Sequence, residues 1–259
     1  MPELRAYQRK VLDQLYAWFE LNHEGNPCIV LPTGSGKSHV IAELCHEAVQ
    51  TWNGTRILML THVKELIEQD AAKLLDHWPD APLGIYSAGL DSKELNTITF
   101  AGIQSIWRRA DLVGHVDLVL IDEAHLVSHK DEGMYRTFID ALRETNKDMR
   151  VVGFTATPYR LGHGMITDKP ALFNALIEPV SISKLQRQGY LAILRSKVTA
   201  KRLEVGGVHT RGGEYIESEL QAAVDVHETS EAVVDEVLRL AGDRRAWLVF
   251  CTGVKHARN

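Results

Sequence analysis

Cysteine is scarce in this 259-residue chain. Cys28, Cys45 and Cys251 are odd in number and far apart, and no C-x-x-C pair occurs. A disulfide framework is therefore not implied, and zinc is not expected. Cys28 and Cys251 lie in apolar runs, where cysteine serves as a small core residue. An excess of basic charge is also missing. Lys and Arg number 29 against 34 Asp and Glu, a net charge of −5. That excludes a histone-like binder but leaves room for a local basic groove. No apolar run approaches the length of a membrane span, and the first residues, MPELRAYQRK, contain no apolar signal segment. A reducing, cytoplasmic compartment and no membrane partner are the expectation. Internal repeats and low-complexity segments are absent as well.

What remains is an ordinary globular composition, 45% hydrophobic and 24% charged, arranged in a β/α rhythm. Short, nearly continuous apolar runs lie at 28–32, 56–60, 97–101, 117–121 and 150–155, with a weaker one at 83–88. Runs of this kind are strands buried on both faces of a parallel sheet. Amphipathic stretches at 4–22, 37–51, 63–77, 103–110 and 132–145 alternate with them. The predicted fold is α/β, a mainly parallel, doubly wound sheet whose ligands sit at the carboxyl ends of its strands. The rhythm breaks near 180. A helix over 181–191 turns at Gly189, residues 192–216 are irregular with two Gly-Gly pairs, 228–241 reads as helix, and 246–252 reads as a new strand.

Two motifs carry chemistry. CIVLPTGSGKSHVIAELCHEAV is a strand, a Gly-containing turn and a helix, the context of a phosphate loop. Leu31 stands where the strict pattern has its first glycine. The backbone N–H groups of Thr33, Gly34, Ser35, Gly36, Lys37 and Ser38 would face phosphate oxygens. Lys37 would reach the β- and γ-phosphates and Ser38 would ligate Mg2+. LVLIDEAHLV places an acid pair at the end of a second strand. There Asp122 would hold Mg2+ and Glu123 would orient and deprotonate the attacking water, leaving Lys37, Asp122 and Glu123 as the catalytic set. A Gly-rich turn and a solvated acid pair would each be unremarkable alone. Together, 85 residues apart, they predict an ATP and Mg2+ site.

With the DEAH tetrapeptide the chain resembles superfamily 2 helicases and translocases of the DEAD/DEAH kind, and their motifs occur here in order. That resemblance implies a RecA-like P-loop NTPase domain. It implies further that Gln8 and Arg5, in LRAYQ, read the adenine. Thr61 and Lys64, in LTHVKELIEQ, and Gln104 and Ser105, in FAGIQSI, would contact a nucleic-acid backbone. Thr155 and Thr157, in GFTATPYR, together with His125 would couple the ATP site to that backbone. The details THVKEL, SAGL, GFTATPYRLGHG and GYL are similar to RadD-like DNA repair helicases.

The resemblance divides the chain into a first RecA-like domain at 1–180, a linker or insertion at 181–243, and the start of a truncated second RecA-like domain at 244–259. Complete relatives draw arginines from the second domain, worth roughly 10³–10⁵ in rate in related NTPases, and Arg160 does not replace them. The expected function is the ATP-dependent motor domain of a DNA helicase or translocase acting on single-stranded or branched DNA, with RNA still open. The chain as given is expected to hydrolyse ATP slowly and not to unwind duplex. Two other readings are an ATP-gated nucleic-acid-binding module completed by a partner chain or a missing C-terminal half, and the motor subunit of a restriction system. Arg195, Lys197, Lys201 and Arg202 are either a basic path for the polymer or a solvated linker.

Overall fold

The computed structural model describes residues 3–22, 24–127, 133–160, 164–196, 204–211, 214–225, 227–241 and 244–258. They fall into two compact units that divide between Ala192 and Ile193.

The first unit is built on an eight-stranded sheet. Its strands are β1 (Pro27–Val30), β2 (Ile57–Thr61), β3 (Leu83–Ser87), β4 (Ser92–Lys93), β5 (Ile98–Gly102), β6 (Leu118–Ile121), β7 (Arg150–Thr155) and, after a small hairpin of β8 (Tyr159–Arg160) with β9 (Gly164–Met165), β10 (Ala175–Ile177). The order across the sheet is β10-β1-β7-β6-β2-β5-β3-β4, and every pair is parallel except the terminal β3–β4. Helices α1 (Ala6–Leu21), α2 (Lys37–Thr51), α3 (Lys64–His77), α4 (Ile103–Ile106), α5 (Ala110–Val113), α6 (Met134–Arg143) and α7 (Ile182–Arg187) supply the crossovers and flanks.

Side chains alternate across each strand, so one sequence feeds two cores. Ile57, Met59, Leu120, Val152 and Phe154 join the layer with α1, α2 and α3. Leu58, Leu60, Val119, Ile121 and Val151 join the layer with α6. Apolar runs without alternation are therefore the signature of a sheet covered on both sides, as the sequence suggests. In α1 the buried Val11, Leu12 and Leu15 recur at helical spacing, which turns one face onto the sheet.

Two expectations change. Residues 181–192, assigned to a linker, belong to the first unit, because Leu185 of α7 is fully buried in its core. The apolar run 246–252 forms no strand. A strand requires a hydrogen-bonding neighbour, and among the described residues none pairs with it. Phe250 is 87% exposed and Cys251 lies at the surface, so Cys251 is not a core residue.

The second unit holds a two-stranded hairpin, β11 (Thr210–Arg211) with β12 (Glu214–Tyr215), then α8 (Glu217–Val224), α9 (His227–Ala241) and α10 (Val254–Arg258). The hairpin occupies part of the stretch 192–216 that reads as irregular in sequence. Of the basic positions named there, Arg195 is exposed, while Lys197, Lys201 and Arg202 lie outside the described residues. In the first unit, Arg160 is described as backbone only.

Candidate nucleotide site

The loop 31–36 leaves the carboxyl end of β1 and enters α2. Gly34 and Gly36 take φ of +77° and +82°, values that a side chain would strain, and they turn the backbone back on itself. The amides of Gly34, Gly36, Lys37 and Ser38 have no backbone acceptor among the described residues. Those of Lys37 and Ser38 are first-turn donors of a 15-residue helix, and with the Gly34 and Gly36 amides of the loop they form a ready cradle for an anion. Leu31, in the place of the first glycine, donates its N–H to the Thr155 carbonyl at 2.9 Å and buries its side chain in the core. A residue that packs there anchors the loop where a glycine would not.

β7 lies between β1 and β6, so the end of β7 separates the loop from the acid pair. Lys37 spans that gap. Its Nζ lies 2.6 Å from Asp122 Oδ1 and 2.7 Å from Glu123 Oε1. Burial penalises the ammonium, but the two carboxylates, Asp122 foremost, more than offset this and hold Lys37 above the ordinary lysine range. Asp122 is only 3% exposed. Burial raises its pKa, and Lys37 restores only part of the loss. One ammonium against two carboxylates leaves a net negative cluster, which favours a further cation. Glu123 has φ +48°, a left-handed backbone that costs a non-glycine residue roughly 1–2 kcal/mol. The strain sits at the residue whose carboxylate must be aimed.

Behind the acid pair runs a polar chain. Glu123 Oε2 is 3.3 Å from His125 Nδ1, and His125 Nδ1 is 2.9 Å from Thr155 Oγ1. Thr155 Oγ1 also donates to the Thr157 carbonyl and accepts from the Thr157 N–H, both at 3.1 Å. The three residues expected to couple the sites thus form one network at the ends of β6 and β7.

Gln8 is committed elsewhere. Its Nε2 donates to the Ser35 carbonyl at 2.9 Å, and its Oε1 accepts from Arg5 N at 2.9 Å. Its amide therefore braces the phosphate loop. Arg5 lies over the Tyr190 ring at 4.6 Å, and the Tyr7 hydroxyl donates to the same Ser35 carbonyl at 2.5 Å. Sequence reasoning missed Tyr7 and Tyr190. The GYL segment was the available signal, but nothing local in it points to α1.

A cavity of about 310 Å³ opens between the loop, the acid pair and α3. Its far wall includes Asp70, also unforeseen, a buried carboxylate facing the Ser38 hydroxyl and pushed up to about 6 by burial and then by Asp122. Asp70 Oδ2 is buried in that wall without a hydrogen-bond partner.

The expected nucleic-acid contacts gather at the ends of β2 and β5, where Thr61 and Gly102 are in register. Lys64 and Gln104 are exposed. Ser105 Oγ accepts the Ala88 N–H at 3.0 Å, which leaves its O–H to donate. Thr61 is a correction. It is 1% exposed with its hydroxyl sealed in the interior, so its side chain cannot reach a phosphate. As the last residue of β2 its inward face was set by the strand's alternation.

The architecture is shared with helicases and a restriction-modification enzyme. The chain superposes on the UvsW helicase of bacteriophage T4 with a TM-score of 0.53 at 19% identity, over 69% of this chain and 61% of that one. On the Hef helicase domain of Pyrococcus furiosus the TM-score is 0.52 at 22% identity, over 74% and 40%. On the Type ISP restriction-modification enzyme LlaGI, solved with a DNA substrate mimic, it is 0.53 at 12%, over 73% and 21%. The first unit therefore has the RecA-like fold found in these helicase domains. A 51.5 kDa protein of a Lactococcus phage (isolate 7-9) is 25% identical over 217 residues, 84% of this chain and 42% of the relative, so the chain spans about two fifths of that relative's length. Residues 1–160, more than half of the chain, match the family described as Type III restriction enzyme, res subunit, and this protein belongs to that family.

Proposed function

We propose that the first unit binds Mg2+-ATP at the loop 33–38 and works as the nucleotide-driven half of a DNA helicase or translocase motor. The observation that carries this is Lys37 Nζ held between Asp122 and Glu123 at 2.6 and 2.7 Å, beside the amides of Gly34, Gly36, Lys37 and Ser38, which have no backbone acceptor among the described residues. Phosphate oxygens would draw Lys37 off the two carboxylates, and the loop amides would take the remaining charge. Asp122 and Ser38 would hold Mg2+, which supplies neutralisation of the phosphoryl oxygens. Glu123, released from Lys37, would accept a proton from the attacking water. Its second oxygen stays next to His125, and through Thr155 and Thr157 its state passes to the end of β7.

Lys64, Gln104 and Ser105 would contact backbone phosphates, which makes recognition of the polymer largely independent of sequence. The RadD-like motif details favour DNA. Family membership favours a second reading, in which the same motor serves a restriction assembly. Efficient turnover would draw on arginines from a second RecA-like domain or a partner chain.

The test is nucleotide binding by calorimetry and steady-state hydrolysis, with and without single-stranded DNA, beside Lys37→Ala and Glu123→Gln. Binding that requires Mg2+ and Lys37, with turnover removed by Glu123→Gln, is the expected result. A folded protein that binds no Mg2+-ATP would overturn the reading.

A further inference from the structure

Away from the nucleotide site, three side chains from two helices converge in a way the motor reading does not use. Glu43 and His46 are three residues apart on α2, one turn along the same face. His77 is the last residue of α3 and is 1% exposed. One donor atom from each lies within 4.8 Å of the other two. Glu43 Oε2 is 2.5 Å from His77 Nε2, yet the pair is not aligned as a hydrogen bond, and His77 Nε2 remains unpartnered. His77 Nδ1 and His46 Nδ1 are buried without partners as well. A simple ion pair between Glu43 and His77 would account for one of these nitrogens and leave the others stranded.

We infer that Glu43, His46 and His77 bind a divalent transition ion, Zn2+, which ties α2 to α3. Two imidazoles and a carboxylate are a donor set of borderline softness, suited to zinc and poorly suited to Mg2+ or Ca2+. Around a tetrahedral ion with ligands at about 2.1 Å, donor atoms sit roughly 3.4 Å apart. To reach that spacing the Glu43–His77 contact opens by about 0.9 Å and the wider separations, all within 4.8 Å, close. Neighbouring groups define the pocket. Trp78 lies edge-on to His46 with ring centroids 5.0 Å apart, and His46 lies 6.1 Å from His77. Glu47, one turn further along α2, is engaged by Arg9 and Tyr16. The site therefore has three protein ligands and a remaining position for water.

Its mechanical meaning follows from what it joins. α2 begins at the phosphate loop, and α3 begins at Lys64. An ion between the middle of α2 and the end of α3 would fix the mutual position of the two helices whose first residues would face phosphate and polymer. This inference stands apart from the ATPase reading, since neither ion nor donors belong to the nucleotide site.

The experiment is Zn2+ titration of the metal-stripped protein by calorimetry, with Mg2+ present in excess to occupy carboxylate sites, followed by metal analysis after desalting. His46→Gln and Glu43→Gln are the test variants. Both positions are partly exposed, so circular dichroism should report an unchanged fold, and His77→Ala is avoided because it opens the core. One equivalent of Zn2+ retained by the wild type, affinity at least tenfold weaker in each variant, and a zinc-dependent rise in Tm confined to the wild type are expected. Failure of the wild type to retain stoichiometric zinc overturns the inference. So does zinc binding that either substitution leaves untouched, because the ion would then sit on other histidines.

Discussion

Removing Lys37 should do more than abolish nucleotide binding: it should unbalance the fold. Asp122 is 3% exposed and Lys37 16%, so their 2.6 Å contact is shielded from water, while Glu123 at 28% can turn towards solvent. Breaking a buried pair from one side costs on the order of 3–5 kcal/mol. Because Asp122 can take up a proton when its partner is lost, the lower end applies, about 3 kcal/mol at neutral pH. In a domain of this size that corresponds to a fall in Tm of roughly 6–12 °C.

The dependence on pH has a definite sign. Asp122 already has a folded pKa above its unfolded value, and Lys37→Ala raises it further. The folded state then binds more protons than the unfolded state between those values, so stability falls as pH rises through that window. The gap between wild type and variant should be small near pH 4 and widen towards pH 8. Asp122→Asn added to Lys37→Ala removes the stranded charge and should recover about 2 kcal/mol. The assay is urea unfolding of the three proteins in EDTA, without nucleotide. A gap below about 0.5 kcal/mol at pH 8, or no rescue by Asp122→Asn, would show that the cluster is not desolvated.

Thr155→Val keeps the shape but strands the Thr157 N–H and removes one of the partners of His125, costing about 1–3 kcal/mol in urea unfolding. It should leave ATP binding intact while the ratio of DNA affinities measured with and without ATP falls to about one, and an unchanged ratio would remove Thr155 from the coupling path. Glu47 is held below the usual carboxylate range by Arg9 and Tyr16 although burial works against it. Glu47→Gln should cost about 1 kcal/mol at pH 7, and the difference should vanish as pH falls through the folded pKa of Glu47. A difference that persists in acid would mean the contact stabilises by packing rather than by charge.

The legible parts of the sequence were those fixed by local rules. α2 runs over the expected residues 37–51 because the loop glycines set its start and its apolar period holds to the end. The central strands were legible because burial on both faces leaves uninterrupted apolar runs. β4 and β10 were not, since two or three residues become strands only through the neighbour they pair with. The run 246–252 fails for the converse reason: apolarity states a need for partners and does not supply them. In the site, GSGKS and DEAH announced Lys37, Asp122 and Glu123. Asp70 and Tyr7 carried no such label, because they reach the site from other elements, and Tyr190 meets it only through Tyr7 and Arg5. Cysteine spacing argued against zinc, but it could not see histidines 31 residues apart meeting across two helices.

The order of the sheet has a mechanical consequence. β6, which ends in the acid pair, is bonded directly to β2, which ends beside Lys64. Only one interval between strands, about 4.8 Å, separates the row of groups that would feel phosphate from the row that would feel the polymer. Neighbouring strands in a sheet are among the stiffest links a protein can make. A displacement of a fraction of an ångström at Glu123 has no soft loop in which to dissipate before it reaches β2. On this reading the stroke of the motor is short-circuited through the sheet, and the large movements belong to whatever closes over it.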